Sequence, residues 1–384
     1  MTLIILIILF LAVSGILEKR RHLNRIDQIP IRIHINGTRG KSLLTRMIVD
    51  LFRRAGWQVA GKVTGEQPQI FIPQSGWQPW KRLAPARIKE QMRFIRKIAP
   101  FRPTAMVVEN MALAPENQHA AESFMIRSTL SVITNFRPDH QEVMGNEGGD
   151  VLSAIAHSVP IQGTVLLPQS EATPAFEKAC ANFKANLKTA AGCHPSSFPA
   201  LPAFQSQFEL LKAVRDHYHI PQDVFDQTID DWQNRLKPEN FLIPISTFQN
   251  KKYLVNLFTC NDVTSAELLI KNLEQSGVIY PPYEIVLTCR EDRPLRTMAF
   301  IRWLLQSIEW KKLIIAGVIP RIPVRRLLDP RRNPARFVIF TKKIAPEKII
   351  AELDSSIQFT FGLGNYVKTG EKILSYLQGS TDDN

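Results

Sequence analysis

The chain has 384 residues with 48 Lys+Arg and 35 Asp+Glu, so its formal net charge is +13. Hydrophobic residues make up 45% and charged residues 22%, a globular composition that excludes disorder, collagen and low-complexity sequence as the main structure. The length is typical of roughly two domains. The 4 cysteines show no C-x-x-C pairing or metal-ligand spacing, which argues against a secreted disulfide framework and favours a reducing compartment.

The N-terminus predicts a membrane anchor. Residues 2–17 carry no charge, and as a helix they would rise about 24 Å, slightly less than a hydrocarbon core of ~30 Å. A signal peptide has its charges before the apolar run, whereas here Lys19, Arg20, Arg21 and Arg25 follow it. The positive-inside rule then predicts an uncleaved single-pass anchor with the N-terminus outside and the downstream chain in the cytoplasm. A cleaved signal and a buried or interfacial helix are the alternatives.

Strands and helices alternate after this segment. The pattern predicts strands over 31–35, 58–63, 104–108 and 130–134, helices over 41–55 and 84–98, and a loop over 64–80. Such alternation favours a parallel sheet with crossover helices.

In the remainder of the chain the predicted secondary structure changes twice. Residues 168–237 are predicted to be mostly helical, and a second βα pattern follows, with strands over 252–257, 284–288, 312–316, 336–340 and 358–361. Residues 362–365 (GLGN) predict a glycine-rich turn. The expected organisation is an anchor over 1–18, a nucleotide-binding central domain over 19–240 and a Rossmann-like α/β domain over 241–384.

A phosphate-binding loop is the most informative motif. It consists of Gly37, Thr38, Arg39, Gly40, Lys41 and Ser42, between a predicted strand and a predicted helix. Glycines let the backbone approach an anion, and the N–H groups of the turn and of the helix N-terminus point at it. The lysine can reach the β- and γ-phosphates of ATP, and the serine hydroxyl can ligate Mg²⁺. A strict Walker A motif would have glycine where Ile35 stands, so the loop is a shorter variant.

Polar residues also follow other predicted strands. Glu109 ends one strand, and Asn135 and the Asp139-His140 pair follow the next. The carboxyl ends of parallel strands share one edge of the sheet, where ligands bind, so a carboxylate at Glu109 beside Ser42 would suit Mg²⁺ chemically. Capping or surface positions are the alternatives for these residues.

The second domain carries further candidate ligands of the nucleotide. They are Asp262, after a predicted strand, and the arginines of C-R-x-x-R-x-x-R at 290, 293 and 296. Guanidinium groups bind phosphate in a bidentate manner. Arg293 is therefore expected to contact the nucleotide phosphates, with a solvated basic face as the alternative.

Several motifs in order carry a family resemblance. They are NGTRGKS (36–42), KVTG (62–65), ENMALAPENQ (109–118), NFRPDHQEVMG (135–145), VNLFTCND (255–262), CREDRPLRT (289–297) and GLGNYVKTGEKIL (362–374). With the apolar N-terminus, the chain resembles the membrane-anchored ATP-dependent amide ligase subunits of poly-γ-glutamate synthases, within the Mur-ligase superfamily. Arg39 strengthens the resemblance, because the loop of most related ligases has a sequence similar to GTNGK, without this arginine.

The resemblance implies a fold, a reaction and a site. The fold would be an N-terminal transmembrane helix, a Mur-ligase-like P-loop domain with a parallel sheet, and a C-terminal Rossmann-like α/β domain. The enzyme would be an acid–amino-acid ligase that joins glutamate to a poly-γ-glutamate chain through an acyl phosphate, with ATP and Mg²⁺. The implied catalytic residues are Lys41, Glu109, His140 and Arg293. The implied metal ligands are Ser42 and Glu109, with His140 as a ligand of a second metal. Asn135 would contact the nucleotide, and Asp262 would bind the ribose.

The resemblance has one departure and implies further partners. Many Mur ligases carry a carbamylated lysine about fifteen residues after the metal-binding histidine, but no lysine occurs between Asp139 and Phe176. This suggests a simpler shell around the second metal. The implied partners are small membrane subunits of a synthase complex at the cell membrane, and a homo-oligomer is a further expectation.

Other functions remain as alternatives. A membrane-anchored NTP-binding regulator or a small-molecule kinase would use the same loop, although a kinase would not need the second domain. Basic clusters at 81–102 and 311–336 each hold eight basic residues and one acid. No nucleic-acid-binding motif accompanies them, so nucleic acid is not expected as a partner. An anionic polymer, lipid headgroups, partner subunits or a solvated surface would each explain the clusters.

Overall fold

The computed structural model describes residues 2–65, 67–82, 86–137, 148–190, 202–248, 250–260, 262–307, 309–318, 337–340 and 344–379. The chain divides into two compact units. The first comprises residues 1–198 and 204–232, and the second comprises residues 199–203 and 233–384. Each unit contains one sheet.

The first element is a helix, α1 (Thr2–Asp27), which is longer than the apolar run that predicted it. Its 26 residues are long and apolar enough to cross a membrane. The helix continues past residue 17 because the segment after the apolar run also packs: His22 and Ile26 are buried.

The sheet of the first unit has eight strands in the order β4-β3-β2-β5-β1-β6-β7-β8. They are β1 (Ile31–Asn36), β2 (Val59–Val63), β3 (Gln69–Ile72), β4 (Gly76–Pro79), β5 (Ala105–Glu109), β6 (Leu130–Ile133), β7 (Thr164–Pro168) and β8 (Asn186–Ala190). Six strands run parallel, while β3 and β4 form an antiparallel hairpin at one edge. The prediction of a loop over 64–80 was therefore wrong for the residues of this hairpin.

Helices cover both faces of this sheet. They are α2 (Lys41–Arg54), α3 (Glu90–Ile98), α4 (Pro115–Ala120), α5 (Gly148–Ala156), α6 (Pro174–Asn182), α7 (Gln205–His217) and α8 (Gln222–Arg235). A π-helical turn, Ala121–Ile126, follows α4. Helix α3 begins later than the predicted residue 84. Strand β8 adds sheet structure to the stretch that was expected to be mostly helical.

The second unit has a six-stranded sheet in the order β13-β12-β11-β14-β10-β9. Its strands are β9 (Leu242–Pro244), β10 (Tyr253–Asn256), β11 (Tyr283–Cys289), β12 (Trp310–Gly317), β13 (Phe337–Phe340) and β14 (Phe359–Gly364). Among the described strands of this sheet, the edge strand β9 alone pairs antiparallel. The helices are α9 (Val263–Gln275), α10 (Pro294–Gln306), α11 (Pro346–Ala351) and α12 (Glu371–Gly379).

The GLGN segment of the second unit differs from its prediction as a turn. Gly362 and Gly364 belong to β14. A Cβ atom at Gly362 would lie 2.6 Å from the ring of Phe258, so this strand position has room only for glycine.

Candidate functional site

The phosphate loop joins β1 to α2 as the sequence predicts. Gly37 has φ of 107° and Gly40 has φ of 78°, backbone conformations that favour glycine. A Cβ atom at Gly37 would lie 2.2 Å from Thr134 Oγ1, and one at Gly40 would lie 2.2 Å from Gln207 Nε2. The loop therefore needs both glycines for its conformation, and it needs Gly37 also for its close packing against the backbone of Thr134 and Asn135.

The end of β6 holds this loop in place. Thr38 Oγ1 donates to Asn135 Oδ1 at 2.6 Å, and Asn135 Nδ2 donates to the carbonyl of Arg39 at 3.1 Å. The backbone N–H of Thr38 also donates to the carbonyl of Asn135 at 3.3 Å. Asn135, expected at the nucleotide, is thus bonded to the loop that would bind the phosphates.

Lys41 lies over the same turn. Its Nζ donates to the carbonyl of Gly37 at 2.6 Å and to that of Thr38 at 3.3 Å. The ammonium group is therefore held within the loop by two of its carbonyl groups.

Ser42 and Glu109 lie together, as expected from the ends of two adjacent parallel strands. Ser42 Oγ donates to Glu109 Oε2 at 2.8 Å, and the backbone N–H of Thr64 donates to the same oxygen at 2.8 Å. Glu109 is only 4% exposed. These contacts bring the ends of β1, β2 and β5 to one point.

This pair fits a hard divalent cation, because hydroxyl and carboxylate oxygens are the ligands that Mg²⁺ prefers, together with substrate phosphates and water. Among the described residues no group of three His, Cys, Asp or Glu side chains could hold a metal ion. The predicted ligand His140 and its neighbour Asp139 lie outside the described residues.

A network of amide side chains behind the loop was not anticipated individually from the sequence. Asn36 Nδ2 donates to Gln118 Oε1 at 2.9 Å and to Ser158 Oγ at 2.6 Å, while Asn36 Oδ1 accepts from the N–H of Gly37 at 2.8 Å. Asn110 donates to the same oxygen of Gln118. The only available signal was their membership of motifs that carry the family resemblance.

A buried lysine beside the site was also missed. Lys62 on β2 is fully buried, and its Nζ lies 3.7 Å from Glu90 Oε2. Arg82 Nε donates to the other carboxylate oxygen of Glu90 at 3.0 Å, and Arg82 Nη2 donates to the carbonyl of Thr64 at 2.9 Å. Burial lowers the pKa of Lys62 to about 8, and the nearby carboxylate of Glu90 opposes this shift.

In the second unit Asp262 begins a helix. Its side chain accepts from the N–H of Ser265 at 2.9 Å and so forms the N-cap of α9. The preceding Asn261 lies outside the described residues. The carboxylate thus has a structural role at the start of this helix.

The three arginines of the C-R-x-x-R-x-x-R motif have different surroundings. Arg290 forms a two-pronged pair with Asp292, at 2.9 and 2.6 Å, and this hydrogen bonding lowers the pKa of Asp292. Arg293 is the N-cap residue of α10. Arg296 Nη1 donates to Asn365 Oδ1 at 3.0 Å, a contact that the spacing of the arginines could not reveal.

Comparisons with known proteins agree with this architecture. Residues 242–380 match the family model of the poly-gamma-glutamate synthase CapB C-terminal domain. Over 97% of this chain and 97% of the relative, the sequence is 27% identical to PGA synthase CapB of Bacillus subtilis. It is 29% identical to capsule biosynthesis protein CapB of Bacillus anthracis, over 80% of this chain and 68% of the relative.

A solved structure shows the same fold. It is a bifunctional folylpolyglutamate synthase/dihydrofolate synthase with Mn, AMPPNP and L-glutamate bound, and it is 12% identical with a TM-score of 0.63. The match covers 95% of this chain and 93% of that chain. The resemblance to poly-γ-glutamate synthases is confirmed, and the fold is the one expected from the Mur-ligase-like motifs, shared with this folylpolyglutamate synthase.

Proposed function

We propose that this chain is an ATP-dependent ligase that extends poly-γ-glutamate. Its residues 242–380 match the family model of the poly-gamma-glutamate synthase CapB C-terminal domain, and nearly its whole length is similar to one such synthase. The observation that carries the proposal is the contact of Ser42 with Glu109 beneath a phosphate loop. The structural relative with AMPPNP, Mn and L-glutamate supports the choice of ATP, a divalent metal and glutamate.

Under this proposal the chain's own residues bind and orient the charged groups of the nucleotide and its metal ion. The N–H groups of residues 37–42 and the ammonium group of Lys41 bind the phosphates of ATP. Ser42, Glu109 and His140 would hold Mg²⁺, which when bound neutralises phosphate charge. Asn135 and Thr38 keep the loop in its binding conformation through their hydrogen bond of 2.6 Å. Arg293 and Asp262 of the second unit are proposed as contacts of the nucleotide phosphates and ribose.

The proposed reaction has two steps. The γ-carboxylate of the growing chain attacks the terminal phosphorus of ATP, which releases ADP and forms an acyl phosphate. The amine of an incoming glutamate then attacks the acyl carbon, inorganic phosphate leaves and the nitrogen loses a proton, so that an amide is formed. Protein groups contribute orientation and stabilise charge that spreads over the transferred phosphoryl group.

The location follows from α1. We propose that its apolar part anchors the chain in the cell membrane, with the N-terminus outside and both units in the cytoplasm. Small membrane subunits of a synthase complex and self-association are further parts of the proposal. The polyglutamate product needs no nucleic acid as partner.

A membrane-reconstituted assay tests the reaction. With ATP, Mg²⁺ and labelled glutamate, we expect ADP, inorganic phosphate and labelled amide polymer to accumulate together. Hydroxylamine should trap the acyl phosphate as a hydroxamate. Lys41→Ala and Glu109→Gln should each lower turnover about 100-fold or more, because each removes a group that stabilises transferred charge. The control Lys212→Ala, at a half-exposed position on α7, should leave turnover unchanged.

Three results would contradict the proposal. ATP hydrolysis that is independent of glutamate and yields no amide would favour the NTP-binding regulator. A phosphorylated small molecule as the final product would favour the kinase. Full turnover in folded Lys41→Ala would mean that the loop is not the phosphate site.

A further inference from the structure

The first helix is both an exposed apolar segment and a packed part of the first unit. Large apolar side chains of its N-terminal part, such as Phe10 at 70% and Leu17 at 44%, are exposed. Near its other end, His22 Nε2 donates to the carbonyl of Met125 at 3.0 Å. Ile26 is buried in one hydrophobic cluster with residues of α3 and of the π-helical turn. One continuous helix therefore fixes the direction of the apolar segment relative to the first unit.

Helix α3 and the π-helical turn lie beside α1 near the point where its apolar run ends. A groove of about 270 Å³ is lined by Met92, Phe124 and Met125 on one side. On the α1 side its lining residues are Gly15, Glu18, Lys19, His22 and Leu23. Phe124 is 55% exposed. An exposed aromatic ring beside the end of an apolar helix suits the interface between headgroups and acyl chains.

The surface around α3 is strongly basic. Between residues 86 and 102 there are six basic residues and a single acid, Glu90. Glu90 is buried and paired with Lys62 and Arg82, so it does not offset the exposed charge. We define the α3 surface as Phe124 together with the exposed residues Arg87, Lys89, Arg96 and Lys97.

Helix α1 carries further positive charge. Lys19, Arg20 and Arg21 are exposed immediately after the apolar run, and only Glu18 is an adjacent acid. Basic residues within a Debye length of an anionic membrane each strengthen its attraction about fivefold. Helix α3 packs against α1, and its Met92 lines the groove at the end of the apolar run.

We infer that the α3 surface binds anionic lipid headgroups and thereby sets the orientation of the first unit on the membrane. The inference depends on the proposed anchoring by α1. The polyanionic product is the rival ligand of the basic residues, but a polycarboxylate would not use Phe124 or the groove that continues from the apolar helix. The combination of ring, groove and charge favours lipid.

A quenching experiment on the full chain tests this inference. A bimane fluorophore is attached to Phe124→Cys in a Cys193→Ser background, since the other cysteines are buried. The protein is reconstituted in nanodiscs of phosphatidylcholine with or without phosphatidylglycerol, each containing a lipid labelled near its headgroup with a nitroxide. The matched control label is Lys212→Cys on α7, which lies with α2 on the face of the sheet opposite α3.

We expect quenching at position 124 in anionic nanodiscs to exceed that at position 212 at least threefold. Replacement of Arg87, Lys89, Arg96 and Lys97 by glutamine should abolish most of this excess without releasing the chain from the nanodisc. These four residues are exposed, so the native near-UV circular dichroism should be retained.

Specific outcomes would overturn the inference. Equal quenching at both positions in a chain that stays with the nanodisc would refute the contact and leave the proposed anchoring intact. Loss of the chain from nanodiscs would refute the anchoring itself. If the glutamine variant kept its quenching but lost affinity for soluble polyglutamate, the basic residues would be assigned to the product instead.

Discussion

Replacement of Gly37 by alanine tests how far the phosphate site depends on close backbone packing. The residue has φ of 107°, and its Cβ would lie 2.2 Å from Thr134 Oγ1, 2.9 Å from Thr134 N and 3.0 Å from Asn135 N. The backbone strain costs roughly 1–3 kcal/mol. The overlap adds about 1–3 kcal/mol, since two of the three contacts are with backbone nitrogen atoms that cannot rotate away.

Gly56→Ala is the matched control. Gly56 also has a positive φ, of 79°, but nothing lies within 4 Å of its Cβ position. It therefore carries the strain without the overlap, and it lies at the far end of α2 from the loop. Both variants should lose some stability, but only Gly37→Ala should displace the N–H groups that face a phosphate.

The assay is equilibrium binding of an ATP analogue to the full chain in detergent, beside thermal unfolding. We expect Gly37→Ala to weaken binding at least about 30-fold, which corresponds to ~2 kcal/mol, and Gly56→Ala to stay within about threefold of the unmodified chain. Adding Thr134→Ala to Gly37→Ala should not restore binding, because the backbone contacts remain. A folded Gly37→Ala chain that binds the analogue normally would refute the reasoning.

Two further predictions concern buried charges. Because the folded pKa of Lys62 is about 8 and its ordinary value is 10.5, the unfolded chain binds one more proton between these pH values. The free energy of unfolding should therefore rise with pH across this window by up to about 3 kcal/mol relative to Lys62→Met, and a flat difference in urea titrations would contradict this. In the second unit, Glu284→Gln breaks the buried pair with Lys252 and should cost about 3–5 kcal/mol in the same assay. The exposed pair of Glu267 with Lys271 is the control, and Glu267→Gln should change stability by less than about 1 kcal/mol; equal effects would show that burial is not the cause.

The phosphate loop illustrates what local sequence can predict. Alternating apolar residues, two glycines and a Lys-Ser pair occur within twelve consecutive positions, and all the groups that form the turn come from this segment. The approach of Glu109 to Ser42 across 67 positions was also predictable. Parallel strands bring their carboxyl ends to one edge, so a residue that ends one strand lies close to the loop after its neighbour.

Other features depend on which distant side chains meet. Asn135 could be assigned to the edge of the sheet, but not to its bonds with Thr38 and Arg39. Lysine is usually found at the protein surface, but Lys62 is fully buried beside Glu90. In each case the decisive partner lies far away in the chain, and periodicity carries no information about it.

By itself, the sequence determined the alternation of strands and helices around the glycine-rich loop, the apolar N-terminal helix and the strand–loop–helix unit, because each arises from neighbouring residues. The tertiary structure alone decided that β3 and β4 extend the sheet, that Gly362 of the GLGN segment lies within β14 against Phe258, and that α1 packs on the π-helical turn through His22. These outcomes follow from burial and the hydrogen bonds of distant groups, which exist only once the chain has folded.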